Sequence, residues 1–178
     1  MSEAIKLSSY VAGKTIESTT FLEVRSPYDQ RLVGTVGLAN AAHTKASIEA
    51  GLAGGKKLTR YERYLILDKT RQLLVERKDE FARVISAESG LAIREAIYET
   101  GRAHDVLMFA AIECLKDDGQ IFSCDISPTG KARKIFTTRE PLGLAVAITP
   151  FNHPLNQVVH KIAPAIAAGT PEIGRAHV

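Results

Sequence analysis

The stretch Arg139–Leu155, REPLGLAVAITPFNHPL, carries the pattern that decides the fold. Within it, residues 144–148 (LAVAI) are apolar without alternation, which is typical of a strand covered on both faces in a parallel sheet. Residues 150–154 (PFNHP) predict a tight turn, and the helix after it ends at Gly169. The apolar face of that helix comprises Leu155, Val158, Val159, Ile162 and Ile166. The sequence therefore predicts the first βα unit of a doubly wound sheet.

The chain before this unit is predicted to form strands and then helices. Residues 21–25 (FLEVR) alternate apolar and charged side chains, as a half-buried strand does, and residues 32–36 (LVGTV) predict a second strand. Thr59 and Glu62 fit a capping box at the start of a helix. The longest helix runs from about residue 93 to 115, and its predicted apolar stripe comprises Ile97, Gly101, His104, Met108, Ala111 and Leu115.

Two extended segments, 120–125 and 131–139, flank the turn at 128–130 and are predicted to pair as an antiparallel hairpin. The order of elements indicates an α/β fold in three parts, 1–119, 120–139 and 140–171. The last part supplies one parallel strand and its following helix. We therefore expect that strand to lack a partner, as in an N-terminal piece of a larger fold.

Length and composition exclude several classes of protein. The 178 residues include 45% hydrophobic and 24% charged side chains, which is ordinary for a globular domain. A formal net charge of +3 argues against a nucleic-acid binder, and no apolar run is long enough to span a membrane. The N-terminus lacks the basic flank and apolar core of a secretion signal, and there are only two cysteines. These features predict a cytoplasmic protein.

The last seven residues, 172–178 (EIGRAHV), do not continue the preceding helical pattern. One codon choice for them, GAG ATC GGA AGA GCA CAC GTC, contains a run found in a common sequencing-library adapter. We therefore predict an adapter-derived tail and exclude Glu172, Arg175 and His177 from the functional residues. The alternative is a genuine short tail.

The segment Arg139–Leu155 resembles the aldehyde dehydrogenase superfamily, which typically shows an arginine–glutamate–proline–leucine/isoleucine–glycine run, a buried strand and a proline–aromatic–asparagine turn. The resemblance covers residues 21–171. It implies an incomplete aldehyde-dehydrogenase-like fold: the N-terminal part of the Rossmann-like cofactor domain, with 120–139 as the hairpin of the oligomerisation arm. A narrower likeness to phosphonoacetaldehyde dehydrogenases rests on the segments LTRYER (58–63), IFSCD (121–125), GKARKIF (130–136) and FNHP (151–154).

The resemblance implies that a homo-oligomer oxidises a small aldehyde to its acid with NAD or NADP. A cysteine thiolate attacks the carbonyl, a hydride leaves for the nicotinamide, and a glutamate helps water to cleave the thioester. Asn152 matches the side-chain donor to the oxyanion, since an amide N–H donates without titrating. The alternative for Asn152 is a helix cap. Four residues match the turn that packs along the dinucleotide, with plain loop packing as the alternative: Ile148, Thr149, Pro150 and Phe151.

Two further residues match a role in binding an anionic substrate. His153 follows the oxyanion donor and could donate to a phosphonate or carboxylate, and Arg102 on the long helix could do the same with two parallel hydrogen bonds. The alternatives are a packed histidine and a solvated arginine. Substrates left open are a phosphonate-bearing aldehyde, lactaldehyde and a semialdehyde.

Neither cysteine of the chain matches the family's nucleophile. Cys114 lies on a predicted helix without an adjacent base, and Cys124 lies in the predicted hairpin, so both are interpreted as structural. No histidine pair has metal-ligand spacing, so no metal site is predicted. We expect these 178 residues alone to be inactive, and the alternative function is a non-catalytic binding or assembly module.

Overall fold

The computed structural model describes residues 4–54, 57–116 and 119–176. Nine strands and five helices are assigned within these ranges. The strands are β1 (Ile5–Leu7), β2 (Tyr10–Val11), β3 (Lys14–Thr15), β4 (Phe21–Arg25), β5 (Leu32–Gly37), β6 (Ile121–Phe122), β7 (Ile135–Phe136), β8 (Ala145–Thr149) and β9 (Glu172–Ala176). The helices are α1 (Ala41–Leu52), α2 (Arg60–Glu76), α3 (Lys78–Ser89), α4 (Ile93–Cys114) and α5 (Pro154–Ala168).

The N-terminal strands form a three-stranded sheet in the order β1-β5-β4. β4 and β5 pair antiparallel, which confirms both strands predicted from the sequence. β1 was not predicted; it runs parallel to β5, with Ile5 opposite Gly34. A Cβ at Gly34 would lie 2.6 Å from the Ile5 carbonyl oxygen, so this close pairing requires glycine.

Helix α2 begins with the predicted capping box. The Thr59 hydroxyl accepts from the Glu62 amide at 3.2 Å, and the Glu62 carboxylate accepts from the Thr59 amide at 2.8 Å. Both bonds satisfy N–H groups that have no partner within the helix.

We expect Thr59→Ala to lower the free energy of unfolding by about 1 kcal/mol, because it removes the side-chain cap of α2. Urea denaturation measures the change. Thr70→Ala on the same helix is the matched control, since the Thr70 hydroxyl only donates to the Ile66 carbonyl on an exposed face. Equal effects of the two substitutions would contradict a capping role for Thr59.

The main core lies where α4 packs between α2 and α5. Its buried residues are Leu67, Leu74, Ala103, Leu107, Ala111, Cys114 and Ala163. Alanines at the helix crossings allow the helix backbones to approach closely, and Ala103 and Ala163 are wholly buried. A smaller cluster of Ala82, Ile85 and Ala96 joins α3 to α4.

The prediction of which face of α4 is buried is wrong. The residues that the helix buries are Ala96, Glu99, Thr100, Ala103, Leu107, Ala111 and Cys114, of which only Ala111 belongs to the predicted stripe. Apart from Leu107, the buried face consists of small or polar residues, because α2, α3 and α5 all pack against α4. Larger side chains at Ile97 and Met108 are only half-buried, at the edge of the contact.

Strand β8, helix α5 and strand β9 form a parallel βαβ unit. Ala145 lies opposite Glu172 and Thr149 opposite Ala176. The expectation that β8 lacks a parallel partner is therefore wrong, because α5 returns the chain to the start of β8, where the Ala145 amide donates to the Pro171 carbonyl at 2.9 Å. Residues 177–178 of the predicted tail lie outside the described residues.

The prediction that β8 is covered on both faces is also wrong for the part of the chain that the structure describes. Ala147 and Thr149 are buried against α5, whereas Val146 and Ile148 remain 65% and 59% exposed. Alternate residues of a strand point to opposite faces, and α5 covers only one of them.

Strands β6 and β7 pair antiparallel, with Ile121 opposite Phe136 and Phe122 opposite Ile135. This confirms the predicted hairpin, although each strand is shorter than its extended segment. The hairpin exposes large apolar side chains, among them Ile121 at 90% and Phe136 at 72%. Within the described residues, no helix has the length and apolar character needed to cross a membrane.

Candidate active site

An open turn follows the carboxyl end of β8 and leads into α5. Its four residues, 150–153, are exposed, and Pro154 occupies the first turn of the helix. Proline suits that position because its fixed φ matches the helix and its missing N–H would have no helical partner. The turn therefore presents side chains to solvent at the edge of a parallel sheet where α/β proteins bind ligands.

Asn152 lies in this turn with an exposed side chain. The N-cap residue of α5 is His153, one position later, and its own side chain makes no capping bond. The alternative interpretation of Asn152 as the helix cap is therefore wrong. The Asn152 side chain therefore does not cap α5, and the residue is exposed.

The carboxylate of Glu99, on α4, caps α5 from outside. Its Oε1 accepts from the backbone amides of Leu155 and Asn156, each at 2.9 Å. Glu99 is only 2% exposed, and its Oε2 has no hydrogen-bond partner. His153 Nδ1 lies 3.7 Å from Oε2.

The carboxyl end of α5 is held by Arg63 on α2. The Arg63 guanidinium donates to the carbonyls of Ala167 and Leu58. Gly169 ends the helix with φ of +75°, and a Cβ there would lie 3.1 Å from Arg63 Nη1. Helix α5, which follows the turn, is therefore held at its N-terminus by Glu99 of α4 and at its C-terminus by Arg63 of α2.

The four residues predicted to pack along a dinucleotide divide between two environments. Thr149 is buried beneath the turn, whereas Ile148, Pro150 and Phe151 are exposed, Phe151 at 67%. The three exposed side chains form an apolar edge at the end of β8. Such an edge can contact the faces of a planar ligand.

Arg102 lies on α4, three residues after Glu99. It lines a shallow depression beside α4, and its Nη1 is 3.5 Å from the Tyr98 hydroxyl. The depression is bordered by the cations Lys78 and Arg94, and neither Asn152 nor His153 lines it. Among the described residues, Arg102 makes no hydrogen bond with Asn152 or His153.

Neither cysteine lies in the turn. Cys114 is buried and its thiol donates to the Arg60 carbonyl at 3.2 Å, while the Cys124 thiol lies 3.5 Å from the Phe122 carbonyl in the hairpin. These surroundings support the interpretation of both as structural. Among residues 4–54, 57–116 and 119–176, no three His, Cys, Asp or Glu side chains are grouped to hold a metal ion.

A parallel βαβ unit with an open turn at the strand's carboxyl end is typical of α/β folds that bind dinucleotides. The family model described as "Aldehyde dehydrogenase family" matches residues 14–173. The chain belongs to the aldehyde dehydrogenase family, and its α/β fold confirms the fold predicted from the sequence.

Two curated relatives illustrate the similarity. A 3-sulfolactaldehyde dehydrogenase of Priestia aryabhattai is 35% identical over 165 residues, which are 90% of this chain and 34% of the relative. Aspartate-semialdehyde dehydrogenase 1 of Pseudomonas canavaninivorans is 37% identical over 155 residues, 85% of this chain and 33% of the relative. The chain thus spans about one third of the length of these relatives.

The fold is similar to solved structures over nearly all of the chain. The structure of aldehyde dehydrogenase 21 from Physcomitrella patens, in complex with the reaction product succinate, superposes with a TM-score of 0.87 at 30% identity. The match covers 98% of this chain and 37% of that chain.

Sequence reasoning missed Glu99. Glu99 lies three residues after Ala96 and four before Ala103, so the three residues share one face of α4. The sequence alone did not identify that face as buried. A buried carboxylate requires hydrogen-bond partners, and the free backbone amides at the N-terminus of α5 supply them.

Proposed function

We propose that this chain works within an NAD(P)-dependent aldehyde dehydrogenase that oxidises a small anionic aldehyde to its acid. The observation that carries the proposal is the exposed Asn152 amide in the open turn between β8 and α5, in a chain matched to the family over residues 14–173. Conversion of an aldehyde to an acid releases a hydride, which a nicotinamide ring accepts.

Within this proposal, Asn152 donates to the oxygen of the tetrahedral intermediate. Stabilisation of that oxygen needs a donor fixed in advance where the negative charge develops. Residues 148–151 would lie along the dinucleotide, because the exposed apolar edge of Ile148, Pro150 and Phe151 adjoins the same turn. The nucleophilic cysteine and the general-base glutamate of the reaction are not assigned to any residue of this chain.

The proposed substrate class is a small aldehyde that carries an anionic group. His153 directly follows Asn152 and has 47% of its side chain exposed, so it can approach a ligand bound at the turn. The relatives named above act on aldehydes with a sulfonate or a carboxylate, by their names. A phosphonate-bearing aldehyde, lactaldehyde and semialdehydes are the specific candidates.

His153→Ala should raise KM for anionic aldehydes about tenfold, because one charge-assisted hydrogen bond to the anion is lost. Arg102→Ala should raise it less, since Arg102 lies in a separate depression. Initial rates of the full-length enzyme, with small carboxylate-bearing aldehydes and with neutral aldehydes of similar size, measure the change in KM for each variant. An unchanged KM for anionic aldehydes in His153→Ala would remove the substrate role of His153.

We further propose that the protein is a cytoplasmic homo-oligomer in which the β6–β7 hairpin contacts a second copy. Support for assembly comes from the exposed apolar side chains of that hairpin, Ile121 and Phe136 above all. Support for a reducing compartment comes from the free thiols of Cys114 and Cys124.

The experiment that tests the proposed function is an initial-rate assay of the purified full-length enzyme. Reduced nicotinamide formed in the presence of NAD or NADP is recorded with an anionic aldehyde, and the acid product is identified by mass spectrometry. We expect aldehyde-dependent reduction with at least one of the two cofactors. No reduction with either cofactor across sulfonate, phosphonate and carboxylate aldehydes would overturn the proposal.

A further inference from the structure

We infer that Glu99 is a positioning residue that fixes the turn carrying Asn152 and orients the ring of His153 toward the substrate anion. The inference rests on the proposed function and extends it to a residue on a different helix, which itself touches neither substrate nor cofactor. It is carried by the placement of the two oxygens of the Glu99 carboxylate.

The first oxygen fixes the start of α5. Oε1 lies 2.9 Å from the amide nitrogens of both Leu155 and Asn156. These are first-turn amides without helical partners, and the N-cap residue His153 supplies no side-chain bond to them. The carboxylate therefore replaces the missing cap, and its negative charge is favoured by the helix dipole. A turn whose last residue is the N-cap of α5 moves only if these bonds are broken.

The second oxygen has no hydrogen-bond partner in the structure. Oε2 is buried, and a buried carboxylate oxygen left unpaired is unfavourable. His153 Nδ1 lies 3.7 Å away, slightly beyond hydrogen-bond distance, on a side chain that is about half exposed. A small rotation of the His153 ring brings an Nδ1–H to Oε2. The protonated ring carries a hydrogen on each nitrogen, so with Nδ1–H on Oε2 the Nε2–H is left to donate to the substrate anion.

The surroundings of Glu99 make it an unusual place for a purely structural acid. Glu88 on α3 is half-buried, and its pKa is raised by burial and then by the negative charge of Glu99. A second carboxylate nearby makes the Glu99 charge more costly to bury. An apolar residue could fill the space but could not accept from two amides and a histidine together.

The test uses Glu99→Gln in the full-length enzyme, with Glu88→Gln as the matched control. Glutamine keeps one oxygen for the Leu155 and Asn156 amides but presents an NH2 to His153, which reverses the hydrogen-bond polarity at Nδ1. We expect Glu99→Gln to raise KM for anionic aldehydes about tenfold and to leave kcat and the KM for neutral aldehydes within about threefold. Glu88→Gln should leave all of these values within about twofold.

A double-mutant cycle separates positioning from a general structural effect. If Glu99 acts through His153, Glu99→Gln adds no further rise in KM in the His153→Ala background. Additive effects, or a loss of kcat shared equally by anionic and neutral aldehydes, would overturn the orientation of His153 by Glu99.

Hydrogen exchange gives a readout that does not depend on activity. Glu99→Ala should speed exchange of the Leu155 and Asn156 amides in the full-length protein, whereas Glu88→Ala should not. Unchanged exchange in Glu99→Ala would overturn the positioning of the turn. If the wild-type enzyme oxidises no aldehyde, the proposed function and the orientation of His153 toward a substrate both fail, and this exchange measurement still decides whether Glu99 fixes the turn.

Discussion

Asn152→Ala is expected to lower kcat of the full-length enzyme by roughly 10²–10³-fold, with KM for the aldehyde changed by less than about threefold. The donated hydrogen bond matters most when the carbonyl oxygen has gained negative charge, so its loss raises the barrier more than it weakens substrate binding. Steady-state kinetics with one anionic aldehyde and saturating cofactor measure both constants.

Two companion variants make this result specific. Asn152→Asp keeps the shape of the side chain but presents acceptors where the amide donates, so it should be as slow as Asn152→Ala. Gln157→Ala removes a different side-chain amide near the start of α5, and this variant should keep kcat within about twofold. A kcat of Asn152→Ala close to that of Gln157→Ala would exclude Asn152 as the oxyanion donor.

Glu172→Val should raise the free energy of unfolding by about 2 kcal/mol at neutral pH. Glu172 is the first residue of β9 and lies opposite Ala145, and its Oε1 is buried without a hydrogen-bond partner. Valine suits a strand in a parallel sheet and removes the unpaired oxygen. A buried, unpaired glutamate oxygen is thus a poor match to this position in β9.

The pH dependence of this stabilisation follows from the raised pKa of Glu172. Burial raises that pKa, and the positive charge of Lys161 offsets part of the rise. The folded state therefore holds the Glu172 proton more tightly than the unfolded state, and stability falls as pH rises from the unfolded pKa through the folded one. The advantage of Glu172→Val should shrink as pH is lowered through the folded pKa and should be smallest below the ordinary pKa of a glutamate.

Chemical denaturation at acidic and neutral pH measures the effect, with Glu140→Val as the control because Glu140 is exposed. The control should shift stability by no more than about 0.5 kcal/mol at either pH. A Glu172→Val protein that is less stable than the wild type at neutral pH would show that the glutamate is accommodated in β9.

Local signals allowed several elements to be predicted from the sequence alone. The capping box of Thr59 and Glu62, the strand at Phe21–Arg25 and the glycine cap at Gly169 each depend on residues within a few positions of one another. The hairpin of β6 and β7 was also predicted, because a proline–glycine turn separates two extended segments.

Long-range contacts account for the elements that were not predicted. The buried face of α4 is set by α2 and α5, which lie far away in sequence and select small residues such as Ala103 over larger ones. The pairing of β1 with β5 joins residues about thirty positions apart, with Ile5 opposite Gly34. The exposed face of β8 likewise depends on which elements cover it.

The residues of the candidate site likewise differ in whether a local sequence pattern could identify them. Asn152 and His153 were identified from the motif around them, because the turn they share is contiguous in sequence. Glu99 supports that turn from α4, across 56 positions to Leu155. Arg102 lies one turn of α4 further on and lines a depression beside that helix, so its contact with the substrate stays a prediction.

We propose that aldehyde and dinucleotide meet at the turn after β8. A crystal structure of the full-length enzyme with bound NAD or NADP and an aldehyde tests it most directly. We predict the Asn152 amide nitrogen within about 3.1 Å of the substrate oxygen and the dinucleotide against residues 148–151. A dinucleotide bound elsewhere, or an Asn152 side chain directed away from the substrate oxygen, would contradict the account.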